Sequence, residues 1–191
     1  MSARQSAKLL PALFENVTDE QRVTVLHVGP ALPETVNFFS NYRCRLHFVD
    51  PYGELPLVED LEEGVTLRGR VDGLFTFPGE TRFDLCLFWD VFNYLSAETA
   101  NLVSQRLRPH LLSTTLAHAF GVHNTRSPQR DCTYSIDSPE ELVLRDRPAP
   151  LPGYAPLPQS KLKEALTAFE MKRSVLLADS RLELLLAARG G

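Results

Sequence analysis

Two apolar runs in this chain end in residue types suited to holding a small ligand. Val25-Leu26-His27-Val28 leads into Gly29-Pro30, and Leu46-His47-Phe48-Val49 ends at Asp50. A strand, a glycine turn, a short helix and a second strand closed by a carboxylate make a nucleotide-type pocket at the carboxyl edge of a parallel sheet. Glycine suits the turn because a Cβ would fill the ligand's space or forbid the backbone angles. Asp50 offers two acceptor oxygens to neighbouring donors, although an aspartate before a proline also caps its own turn. Asp72, in the dipeptide Asp72-Gly73, is a third acidic candidate in an ordinary turn sequence. After the run Phe83–Trp89 come Asp90, Val91, Phe92, Asn93 and Tyr94. That segment carries polar side chains, Asp90 and Asn93, beside aromatic ones, Trp89, Phe92 and Tyr94.

His110, His118 and His123 surround a later apolar run, and His118 and His123 could reach the carboxyl edge. There a histidine could act as base toward an oxygen substrate. Their spacing supplies no third ligand, so no metal is expected. Cys44, Cys86 and Cys132 are odd in number and far apart, which suggests neither a disulfide framework nor a CxxC site. Cys86 lies in an apolar run and reads as a buried structural thiol.

These candidates need elements to position them. Leu9, Leu10, Leu13 and Phe14 recur at helical spacing, predicting an amphipathic helix within residues 1–17. Strands are expected over Val23–Val28, Arg45–Val49, Val65–Val71, Phe83–Trp89 and Leu111–Phe120. Pro33 suits the first turn of a helix, and Ser96 suits the N-cap of another reaching Leu107. Ser138-Pro139-Glu140-Glu141 reads as a helix start, and Ser160 as the cap of a further helix through Phe169. Five prolines between Pro148 and Pro158 mark an extended connector. Met171–Leu177 and Arg181–Ala188 then read as an antiparallel hairpin.

The order of these elements resembles a class I S-adenosylmethionine-dependent methyltransferase. The resemblance covers roughly residues 20–189 and makes the whole chain, 1–191, one domain. It implies an α/β, Rossmann-like seven-stranded sheet, mostly parallel, with a C-terminal antiparallel hairpin. It also implies cofactor contacts at Gly29, Asp50 (ribose hydroxyls), Asp72 (adenine amino group) and Asp90. Trp89, Asn93, Tyr94, His118 and His123 would face the substrate, with no catalytic residue assigned. The family's turn resembles Asp/Glu-x-Gly-x-Gly-x-Gly. Here His27 stands at the acidic position, Ala31 and Pro33 stand at the second and third glycines, and Pro30 and Pro33 remove two backbone donors.

The reading is therefore a methyltransferase-like protein with a degenerate S-adenosylmethionine turn, weak or absent catalysis, and a scaffold or regulatory role through a protein partner. Its alternative is an active methyltransferase acting on a small molecule or a protein. A nucleotide-binding α/β domain of another kind is more distant. The net charge of −4 argues against a general nucleic-acid binder, and no apolar stretch reaches the roughly 18 residues of a membrane span. A cytoplasmic location is the default, and a homodimer is open.

Overall fold

The computed structural model describes residues 2–190, so Met1 and Gly191, the ends of the expected domain, lie outside the described residues. Its elements are β1 (Ser2–Ser6), α1 (Pro11–Phe14), β2 (Val23–Val28), α2 (Pro33–Phe39), β3 (Cys44–Val49), α3 (Leu67–Leu74), β4 (Phe83–Trp89), α4 (Ala97–Leu107), β5 (Leu111–Val122), β6 (Cys132–Ser138), β7 (Glu141–Asp146), α5 (Gln159–Ala165), β8 (Phe169–Leu176) and β9 (Arg181–Ala188). The main sheet has the order β3-β2-β4-β5-β9-β8. The first four strands in that order are parallel, whereas β9 runs antiparallel to both β5 and β8. A second, antiparallel sheet has the order β1-β7-β6.

Strand β4 shows why the main sheet is central. Leu85, Leu87 and Trp89 pack into one core cluster, with α1, α2, β6 and β7. Cys86 and Phe88 pack into the other, with α3, α4 and α5. A strand buried on both faces must be apolar at successive positions, which is the pattern of Phe83–Trp89. The two layers differ in kind: three helices cover one face, and two short helices with the small sheet cover the other.

Several local expectations are corrected. The main sheet has six strands among the described residues, because Val65–Val71 forms no strand. Val65, Leu67 and Val71 fit a period of two, but Leu67, Val71 and Leu74 equally fit a helix. Thr66 decides the matter by accepting the Gly69 N–H at 3.0 Å as the N-cap of α3. The predicted N-terminal helix reduces to α1, since residues 2–6 pair with β7 instead. Ser138–Glu141 is the tight turn between β6 and β7, because the apolar residues that follow fill a strand. Ser160 lies inside α5, where Pro158 occupies the N-cap without a side-chain cap bond. Ser96 does cap α4, accepting the Thr99 N–H at 3.1 Å.

Candidate functional site

The chain leaves β2 for β3 on one side of the sheet and later returns to β4 on the other side. The carboxyl ends of β2 and β4 therefore flank the topological switch point, where ligands of open α/β sheets bind. Gly29 follows β2 with φ +128°, a region that side-chain-bearing residues rarely adopt. Its N–H donates to the Val49 carbonyl at 2.7 Å and ties the turn to β3. Pro33 begins α2, where its missing N–H costs nothing.

The space in front of that turn is filled by side chains. Asp50 accepts the Tyr52 N–H at 3.2 Å, and the resulting turn carries the Tyr52 ring inward. A Cβ on Gly29 would meet Tyr52 Cε2 at 3.6 Å and His27 Cε1 at 3.7 Å. The Tyr52 hydroxyl donates to Asp90 Oδ1 at 2.8 Å, and the Tyr134 hydroxyl donates to Asp90 Oδ2 at 3.4 Å. Tyr134 enters from β6 and stacks between Trp89 (5.6 Å, 10°) and Phe120 (5.2 Å, 28°). Arg147 closes the mouth, with its guanidinium 4.5 Å from the centre of the Tyr52 ring.

Burial sets the charges here. It raises the Asp90 carboxyl from 3.8 to about 6, against the opposing pull of the Tyr52 hydroxyl, Arg147 and Arg181. Burial lowers His27 from 6.5 to about 4, so its imidazole is neutral at pH 7. Trp89 Nε1–H donates to His27 Nε2 at 3.1 Å, which leaves the proton of His27 on Nδ1. Trp89 itself has φ +50°, an outlier for so large a residue. A register shift between β4 and β5 accompanies it.

Two buried ionic groups brace the same region. The Arg181 side chain donates to the Tyr134 hydroxyl at 3.1 Å, to Asp179 Oδ2 at 2.7 Å and to Gln5. Glu183 accepts the backbone N–H groups of Lys8, Leu9 and Leu10 at 2.8, 2.8 and 3.1 Å and pairs with His118 Nε2 at 3.0 Å. Burial would raise the Glu183 carboxyl, but His118 and these amides outweigh it and hold the group below its ordinary value.

Gly29, Asp50, Trp89 and Asp90 thus gather at one edge, with Asn93 and Tyr94 buried in the turn after Asp90. Asp72 does not join them. It sits on α3, half-exposed, with its carboxylate 3.8 Å from Arg106 Nε on α4. His118 is consumed by Glu183, and His123 is exposed beyond β5. His110 is buried elsewhere, its Nδ1 2.9 Å from the Thr81 carbonyl. Sequence reasoning missed Tyr52, Tyr134, Arg147, Arg181 and Glu183. A glutamate inside Leu182-Glu183-Leu184 is a legible sign of a buried partner; nothing local marks Tyr134 or Arg147.

This constellation does not fit S-adenosylmethionine. A ligand of that size needs several hundred Å³, whereas the gap enclosed by His27, Gly29, Tyr52, Trp89, Tyr134 and Arg147 is too tight for a water molecule. Asp90 is engaged by two tyrosines. An open cleft of about 360 Å³ does lie outside Tyr52, bounded by Asp50, Gly53 and residues 147–151. Among the described residues no group of three or more His, Cys, Asp or Glu side chains could hold a metal. No helix among them is long and apolar enough to cross a membrane.

No family model matches this sequence, and no curated protein matches it. Solved structures do match the fold. The PH0226 protein of Pyrococcus horikoshii OT3 is 11% identical, with 95% of this chain and 88% of that one covered, at a TM-score of 0.52. A candidate O-methyltransferase of Nostoc punctiforme PCC 73102 is also 11% identical at a TM-score of 0.52; 95% of this chain aligns with 55% of that one. A candidate zinc-dependent alcohol dehydrogenase of Rhodobacter sphaeroides is 12% identical at a TM-score of 0.54, with 95% and 89% covered. The chain has the class I methyltransferase fold. The two activities named among these structures show that such a fold does not name a reaction.

Proposed function

We propose that this protein is a methyltransferase-fold scaffold or regulator that neither binds S-adenosylmethionine nor transfers a methyl group. The observation that carries this reading is the closing of the gap in front of Gly29 by Tyr52, which lies against it, and by Tyr134, which lines the same gap, both tied to Asp90. Methyl transfer requires alignment of a bound sulfonium in a dry pocket, and packed aromatic rings leave no such pocket. Pro30 and Pro33 support the same reading by removing turn donors. The function then rests on contacts with a protein partner.

The alternative, an active methyltransferase on a small molecule or a protein, requires Tyr52 and the small sheet to swing away from Gly29. Calorimetric titration and thermal shift with S-adenosylmethionine and S-adenosylhomocysteine separate the two. The scaffold reading expects no heat and no shift at millimolar ligand. Micromolar binding that Asp50→Ala abolishes refutes it.

A further inference from the structure

Strand β3 ends the main sheet on one side and β8 ends it on the other. A sheet edge presents unpaired backbone N–H and C=O groups, and soluble proteins blunt such edges with bulges and charged side chains. Edge β8 is blunted in this way. A register shift falls between Met171 and Arg173, and Glu170, Lys172 and Arg173 are exposed along the strand. Edge β3 is different. Its six residues pair in unbroken register with β2, include neither proline nor glycine, and carry one exposed charge, Arg45. The Val23 and Gly29 N–H groups donate to the carbonyls of Arg43 and Val49, so the odd-numbered residues direct their backbone groups to β2. Strand alternation then aims those of Cys44, Leu46 and Phe48 outward. Among the described residues no other segment pairs with them.

The order of charges along this edge says which strand fits it. Arg43 and Arg45 lie at its start, and Asp50 and Glu54 lie beyond its end; all four are exposed, and none forms an ion pair among the described residues. A second β3 laid antiparallel sets each basic end beside the other's acidic end, whereas a parallel one sets like charges together. We propose that β3 pairs antiparallel with β3 of a second copy of this chain, about a two-fold axis at Leu46, making one continuous sheet across a homodimer. A two-fold axis normal to the sheet keeps every residue on its own face. The register that uses all three outward-facing residues puts Leu46 opposite Leu46 and Cys44 opposite Phe48, with about six N–H···O bonds between the chains. Arg45 then stands opposite His47 of the second copy. Burial, and after it the neighbouring Arg45, lowers the His47 pKa from 6.5, so the ring is neutral at pH 7 and adds no repulsion. The pairing goes beyond the scaffold reading and depends on nothing at the Gly29 turn.

Sedimentation equilibrium of the full chain from about 1 µM to about 300 µM tests it, a range suited to a small interface built on one strand pair. The wild type is expected to pass from monomer to dimer and no further, because a closed two-fold contact uses up the edge. Leu46→Pro removes an outward N–H and spares the β2 ladder, since an edge strand tolerates proline where its N–H faces solvent. Its dimer is weakened at least about tenfold. Leu46→Cys reads the register. Hydrogen-bonded antiparallel pairs hold their Cα atoms about 5.5 Å apart, within reach of a disulfide. Mild oxidation should therefore cross-link the Leu46→Cys protein into covalent dimers and leave the wild type, whose Cys44 faces Phe48, without a cross-link. That measurement stands even where Leu46→Pro fails to fold. A wild type that stays monomeric at about 300 µM overturns the pairing and leaves the edge to a strand of another protein. A dimer unchanged in a folded Leu46→Pro, or Leu46→Cys dimers that do not cross-link, also overturn it. A positive titration with S-adenosylmethionine would refute the scaffold reading and leave this pairing in place.

Discussion

Replacing Asp90 by asparagine tests the electrostatics at the centre of the filled site. Asp90 is buried, and its carboxyl rises from 3.8 to about 6 on folding. A carboxyl whose folded value lies above its unfolded one contributes least when ionised. Stability is highest below the unfolded value, falls as pH climbs from about 4 to 6, and is level above that. The rise corresponds to roughly 3 kcal/mol at pH 8 and about 1 kcal/mol at pH 4.5. Asparagine keeps the shape, accepts from the Tyr52 hydroxyl through its oxygen and carries no charge. Asp90→Asn is therefore expected to gain about 2 kcal/mol on the wild type between pH 4.5 and pH 8. With a urea m-value of about 2 kcal/mol/M, the gap between the midpoints shifts by about 1 M. Other titrating groups are common to both proteins and cancel in that comparison. A variant that loses ground on the wild type as pH rises would mean that the folded site favours the Asp90 anion. The tyrosines and arginines would then be a receptor for charge and not a plug.

Two further changes probe the surroundings. Glu183→Gln removes the negative charge that gathers the Lys8, Leu9 and Leu10 amides, and should cost about 1.5–3 kcal/mol, as for hydrogen bonds to a charged group. Hydrogen exchange should show those three amides losing protection before the β4 and β5 amides; uniform loss would contradict a local latch. Gly29→Ala should cost roughly 1–3 kcal/mol through backbone strain at φ +128°. The nearest atom to the new Cβ, Tyr52 Cε2 at 3.6 Å, is at ordinary contact distance, so Tyr52→Ala should not rescue the variant in thermal or urea unfolding; rescue would make the clash steric.

The sequence by itself determined the parts whose physics is local or periodic. Strands β2 and β4 are legible because continuous apolar runs of strand length must be buried on both faces. The start of α2 at Pro33 and the Ser96 cap of α4 are legible because each depends on one residue and its near neighbours. The Asp50–Pro51 turn was readable as a cap, and Asp50 does accept the Tyr52 N–H there. Val65–Leu74 was not decidable in this way, since its apolar residues satisfy two periods and only the Thr66 cap and the packing against α4 choose between them. Tertiary structure alone decided the site. Tyr52, Asp90 and Tyr134 are separated by tens of residues, with Arg147 just past the strand that pairs with Tyr134's, and they meet where the small sheet packs over the switch point. The turn around Gly29 departs from the glycine pattern that the resemblance implies, with Ala31 and Pro33 at the later positions. That two tyrosines and an arginine close the gap in front of it depends on long-range packing, which no local pattern encodes.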